Sequence, residues 1–132
     1  MTHQLKLVLY EHDLELKPDE QATIYDEVSF YHEIHQDYFD EDDDNAAEEE
    51  RLIYKIKNLV DPFIPKEVKT RTISFNRDHL KIIYDALYEK EELYSSSYDR
   101  YHAEDDLKVI NKEGDLIGIW GDIYKKVSEA LK

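Results

Sequence analysis

His32-Glu33-Ile34-His35 gathers three metal-ligand side chains within one helical turn, so zinc chemistry is the first question it raises. Zinc-protease helices place two residues between the glutamate and the second histidine, which sets the imidazoles four apart on one face. Here one residue is missing, and no third ligand is marked. The reading is two polar helix residues, one at the core edge, and no metal. Asp40, Asp42 and Asp44 match the first three ligand positions of a calcium loop. Its sixth position is Asn45, where the sharp turn needs Gly, and its twelfth is Arg51, where a bidentate Glu is required. His102-Ala103-Glu104-Asp105-Asp106 offers ligand types at no recognisable spacing and reads as a solvated loop or helix start. No cofactor is expected.

Other chemistries fare no better. The chain has three glycines and neither a Walker loop, a dinucleotide-binding fingerprint nor a nucleophile elbow. It has no cysteine, which removes disulfides, thiolate zinc sites and cysteine nucleophiles and fits a reducing compartment. Carboxylate pairs abound, but acid–base catalysis needs one carboxyl in an apolar pocket with a shifted pKa. An unbroken acidic run offers no such pocket, so the expectation is not an enzyme.

The charge itself is the strongest feature. Between Glu11 and Glu50 there are 17 Asp or Glu against Lys17 alone, while residues 51–132 hold 15 acidic and 15 basic side chains. The net charge of −15 therefore sits in one continuous third of the sequence, the acidic segment 11–50. Such a field repels nucleic acid and anionic membrane and favours a basic macromolecule. The plainer alternative is charge serving solubility alone. Tyrosine is the second skew: eleven Tyr against four Phe and one Trp. Tyr supplies stiff contact area and a hydroxyl, and is enriched at interface hot spots. Tyr25, Tyr94, Tyr98 and Tyr101 read as interface candidates, whereas Tyr31, Tyr38 and Tyr84 fall on apolar stripes.

The elements that must position these residues follow from periodicity. The chain is expected to form one α+β domain over residues 1–132, mostly helical with a minor β component. Leu5, Leu7 and Leu9 alternate in a strand near 4–10, and Glu11-His12-Asp13-Leu14-Glu15-Leu16 either extends it or turns back against it. Pro18, Asp19 and Glu20 suit a first helical turn. Ile24, Val28, Tyr31, Ile34 and Tyr38 then mark the core stripe of a helix near 20–39, with Asp26, Glu33, Asp37, Asp40 and Asp44 on another side. That helix should fray in the five acids Asp40 to Asp44. Asn45, with Glu48 three residues on, caps a helix near 46–60 whose face is Leu52, Ile56, Leu59 and Phe63, flanked by Ile53 and Val60. A second strand is expected near 68–75. Asn76 caps a helix near 77–93 whose face is Leu80, Ile83, Tyr84 and Leu87, ending as Ser95-Ser96-Ser97 weakens it. Residues 107–120 read either as a hairpin or, capped by Asp115, as the start of the last helix, near 122–131, with Leu116, Ile119, Ile123, Val127 and Leu131 inward. Gly118 and Gly121 would each cost a helix about 1 kcal/mol. The N-terminus shows neither a secretory pattern nor an apolar run of about 20 residues, so a cytoplasmic protein is expected.

The functional expectation is a non-catalytic inhibitor that mimics DNA and occupies the basic nucleic-acid-binding surface of a partner protein. Carboxylates three or four apart on a helix lie about 5–6 Å from one another. DNA carries one phosphate per about 3.4 Å of axis on each strand, a comparable density. Glu33, Asp37, Asp40, Asp42, Asp43 and Asp44 are the phosphate surrogates, with Glu41 and Glu48 in the same acidic surface and Tyr25 and Tyr38 adjoining. The likeness to inhibitors of the phage or mobile-element type is one of charge, not motif. One alternative is an immunity protein or antitoxin neutralising a nuclease. Another is an accessory subunit binding through apolar residues such as Ile117, Ile119 and Trp120.

Overall fold

The computed structural model describes residues 11–40, 43–61, 69–101, 109–111, 113 and 115–132, with side chains given up to residue 93 in the third of these segments. It is mostly helical with a two-stranded antiparallel sheet. Strand β1 (Glu11–Leu16) pairs with β2 (Arg71–Asn76) in a register running from Glu11 opposite Asn76 to Leu16 opposite Arg71. Alternation explains both strands: Leu14, Leu16, Ile73 and Phe75 are buried, while Glu11, Asp13, Glu15, Thr72 and Ser74 face out. Residues 11–16 thus form a strand in their own right, and the expected strand near 4–10 lies outside the described residues. The second strand sits later than the 68–75 expected, because Asn76 still pairs with Glu11.

Helix α1 (Pro18–Ile34) starts where the sequence places it. Pro18 occupies the first turn, and the Lys17 amide donates to Glu20 Oε1 at 2.9 Å. The expected helix near 20–39 is broken, however. His35 leaves helical geometry at ψ 23°, and a separate short helix α2 (Gln36–Phe39) follows. The break redirects the apolar stripe. Ile24 and Val28 are fully buried and Tyr31 half-buried, but Ile34 and Tyr38 are exposed, and Phe39 takes the core position instead.

Helix α3 (Asp44–Val60) begins two residues before the expected 46–60, because the cap is Asp43 rather than Asn45: Asp43 Oδ1 accepts from the Asn45 amide at 2.8 Å. Its inner face is Ala46, Ile53, Ile56 and Val60, with Leu52 and Leu59 at the edges, a rotation from the face expected; Phe63 lies outside the described residues. Two contacts fix its direction against α1. His32 meets Glu50 and Tyr25 meets Lys57, so α3 runs antiparallel to α1.

Helix α4 (Arg77–Tyr101) is capped by Asn76, whose Oδ1 accepts from the His79 amide at 2.8 Å. Leu80, Ile83 and Leu87 are buried as expected, and Tyr84 is half-buried. The helix passes the 77–93 limit and runs through the serines, since each Ser costs a helix only tenths of a kcal/mol. Helix α5 (Gly118–Leu131) also starts earlier than 122. Both readings of 107–120 hold in part: an antiparallel bridge joins Ile110 to Leu116, and the helix opens straight after it, capped at Ile117 rather than Asp115. Gly118 adopts φ 64°, a left-handed turn into the helix. Trp120 meets Glu27 and Lys126 meets Glu20, so α5 also runs antiparallel to α1. Helix α1 contacts α3, α4, α5 and β1, and the core forms around it. Among the described residues no helix is long and apolar enough to cross a membrane.

Candidate functional site

The break at His35 decides where the charged side chains go. The His32 imidazole turns to α3, with Nε2 2.8 Å from Glu50 Oε2 and Phe39 and Tyr54 against its ring. The His35 imidazole turns to α4, with Nε2 2.7 and 2.8 Å from the Glu89 carboxylate. The two histidines of the ligand-like quartet thus engage different helices in different directions. Among the described residues no three His, Asp or Glu side chains are grouped to hold a metal ion.

The acidic candidates collect at the corner made by the end of α1, α2 and the start of α3. Glu33, Asp37, Asp40, Asp43, Asp44 and Glu48 are all exposed. Several are held in place rather than loosely presented. Asp40 caps α2 and accepts from Gln36 Nε2 at 2.8 Å, and Asp43 caps α3. Asp44 lies in the first turn of α3, where the positive helix end favours a carboxylate. Tyr38 lies edge-on to Phe39 at the same corner. Glu41 and Asp42 lie outside the described residues. Tyr25 is not part of this corner. It is half-buried on the α1–α3 seam with Lys57 Nζ 5.2 Å over its ring, about 20 Å along α3 from Asp44 at 1.5 Å per residue.

Behind the corner a cleft of about 350 Å³ opens between α2, α3 and α4, lined by Tyr38, Glu48, Glu49, Leu52, Asp78, Lys81, Ile82 and Asp85, with Asn45 at its edge. Among the described residues, four carboxylates face one ammonium there. Burial pushes the Glu49 carboxyl above the usual range, and the Asp85 charge raises it further against the opposing pull of His35. Asp85 is likewise pushed up, first by burial and then by Glu89, with Lys81 working the other way. The Tyr31 hydroxyl, beneath the same acids, is raised by burial and by Glu49, Asp85 and Glu89. The neighbouring carboxylates add to burial in raising these groups, and an incoming cation would act the other way. Glu49, Asp78 and Asp85 were missing from the residues singled out by sequence. The signal for the two α4 acids was there: Asp78, Asp85, Glu89 and Glu92 recur at helical spacings of 7, 4 and 3.

Two further surfaces differ from expectation. Ile117, Ile119 and Trp120 do not form an open apolar patch. All three are half-buried, and the Trp120 indole donates to Glu27 Oε1 at 3.3 Å with Lys90 Nζ 5.4 Å over its ring. Exposed apolar area lies instead between α1 and α4, at Phe30, Ile34 and Leu93. Tyr88 is exposed and stacks on Tyr84, whose hydroxyl accepts from Tyr124 at 2.9 Å. The side chains of Tyr94, Tyr98 and Tyr101 fall outside the described residues. Compared with protein-family models, curated proteins and solved structures, the chain matches none of them.

Proposed function

We propose that this protein is a non-catalytic, cytoplasmic binding protein that docks its acidic corner onto the basic nucleic-acid-binding surface of a partner protein and so competes with nucleic acid. One observation supports this reading above the others. Glu33, Asp37, Asp40, Asp43, Asp44 and Glu48 are exposed together on a capped, helical corner, in a stretch with no Lys or Arg between Lys17 and Arg51. Carboxylates fixed by caps and helix turns resemble a phosphate array more closely than acids on a free chain, because their spacing is set before binding. The partner's Arg and Lys would reach the corner first, with Lys-length side chains entering the cleft beside Glu48 and Glu49. An immunity protein against a nuclease would use the same surface and differs only in the partner's identity.

The test is capture of binding proteins from host lysate at low and high salt, followed by competition with duplex DNA. The expected result is a basic nucleic-acid-binding protein that is held at low salt, released at high salt and displaced by DNA. Screening shortens from about 8 Å at physiological ionic strength to about 3 Å at 1 M, so contacts of this kind must weaken. The combined variant Asp37→Asn, Asp40→Asn, Asp43→Asn, Asp44→Asn and Glu48→Gln removes the charge and keeps a good N-cap at position 43. Capture that survives intact in this folded variant refutes the corner as the binding surface.

A further inference from the structure

The groove between α1 and α4 has a volume of about 680 Å³ and an apolar floor. Phe30, Tyr31 and Ile34 supply one wall, and Ala86 and Leu93 the other. Phe30, Ile34 and Leu93 are 41, 49 and 50 % exposed, three of the six large hydrophobics left exposed among the described residues. Exposed apolar residues are ordinarily scattered singly, whereas these three converge on one trough. On α4 the lining residues Ala86, Glu89, Lys90 and Leu93 span seven residue steps, about 10 Å of helix. That is the reach of the i, i+4, i+7 anchors by which an amphipathic helix seats in a groove.

The rim sets the sign of the occupant. Lys90 is the one Lys or Arg among the described lining residues, and its ammonium lies 2.9 Å from Glu27 and over the Trp120 ring, neither of which lines the groove. Glu92 stands exposed among the lining residues, and Glu89 lines the groove with its carboxylate 2.7 and 2.8 Å from His35 Nε2. A second copy of the chain would bring −15 against −15. An apolar stripe flanked by cations answers both floor and rim.

We propose that this groove is a second docking site, taking an amphipathic helix of a partner protein that carries Lys or Arg beside its apolar stripe. The helix would seat on Phe30, Ile34 and Leu93 with its cations against Glu89 and Glu92. The inference rests on the basic character of the partner proposed above and adds the element it presents. The probe is a labelled synthetic helix with Leu at i, i+4 and i+7 and Lys at the flanking positions. Two controls accompany it: a shuffled peptide of the same composition, and one with Glu in place of Lys. Fluorescence anisotropy with the full chain at physiological salt should show binding of the first peptide only. Ile34→Ser and Leu93→Ser, at half-exposed positions that leave the core intact, should each weaken it about tenfold, the loss of roughly one apolar anchor. Circular dichroism verifies that both variants fold. Equal binding of the shuffled peptide, or no change in either folded variant, overturns the proposal. So does a dimer by sedimentation that Ile34→Ser dissolves, which would assign the groove to a second copy. The five-residue corner variant should bind the peptide as wild type does. If peptide binding survives while corner neutralisation leaves partner capture untouched, only the corner reading falls; the reverse outcome removes only the groove.

Discussion

Lys90→Met should destabilise the protein by about 3 kcal/mol, and the reason lies under the groove. Lys90 and Glu27 are 11 and 9 % exposed, with Nζ 2.9 Å from Glu27 Oε1. The Trp120 indole shares that oxygen at 3.3 Å, and Glu27 Oε2 has no hydrogen-bond partner among the described residues. Removing the ammonium therefore leaves a nearly buried carboxylate with one long hydrogen bond. Breaking one side of a buried pair typically costs about 3–5 kcal/mol, and the remaining indole contact places this case at the lower end. Glu27→Gln alone should cost less, because the Lys90 stem can carry its ammonium outward to water. The double variant Glu27→Gln, Lys90→Met should recover most of the loss, since the buried Glu27 charge is then removed as well. Urea unfolding followed through Trp120, the only tryptophan and in contact with both residues, reads all four proteins. A Lys90→Met protein within about 0.5 kcal/mol of wild type, the ordinary scatter of surface substitutions, would refute the argument.

Other consequences are as direct. Gly121→Ala should destabilise by about 1–3 kcal/mol in thermal unfolding, although Gly to Ala inside a helix normally gains about 1; an added Cβ would stand 2.7 Å from the Leu116 carbonyl oxygen, which is backbone and cannot step aside. Asp43→Ala should cost about 1 kcal/mol and Asp43→Asn almost nothing, read by urea unfolding, because only the first removes the acceptor for the Asn45 amide. Asp85 binds its proton more readily in the folded state than in the unfolded one, so its charged form opposes folding above the ordinary carboxylate range and the penalty fades as pH falls through the raised value. Asp85→Asn should therefore stabilise the protein near neutral pH and lose that advantage in acid, a sign that urea midpoints across pH would check. Burial lowers the buried His79 imidazole, with Lys55 adding to it, so its contribution runs the opposite way: stability is held above the ordinary histidine range and lost as pH drops toward the depressed value.

Much of the fold was legible because its signals are local. Pro18 and Glu20, Asn76 before Arg77-Asp78, and the alternation of Leu14, Leu16, Ile73 and Phe75 act within a few residues, and the structure uses each of them. The break at His35 had no such mark. Neither Gly nor Pro lies there, and the turn accompanies two imidazoles three residues apart that pair with Glu50 on α3 and Glu89 on α4. Partners 18 and 54 residues away are invisible to periodicity. The serines of α4 misled for the opposite reason, a weak local preference being outweighed by a helix already packed along Leu80, Ile83 and Leu87. Gly121 reads in sequence as a flaw in a helix, yet the bridge at Leu116 leaves room for nothing larger. In the candidate site, the acids of α1 to α3 follow from a simple count of charge. Asp78 and Asp85 join them only through packing of α4 beside α3.

The same break produces both proposed surfaces, which makes their coexistence less of a coincidence. Had α1 run straight on to residue 39, Tyr38 would continue the stripe begun by Ile24 and Val28 and would lie along α4. Asp37 and Asp40 would then follow the α1 axis instead of turning toward Asp43 and Asp44. With α1 ending at Ile34, that side chain stays half exposed in the groove it lines with Leu93 of α4. Phe39 then turns into the core against His32, and α2 carries the acids round to α3. His35 sits at the pivot, holding Glu89 on the groove side, with the corner acids Glu33 and Asp37 two residues to either side. A partner that filled the groove would thus meet the edge of the corner, so a single basic chain could engage both without either surface moving.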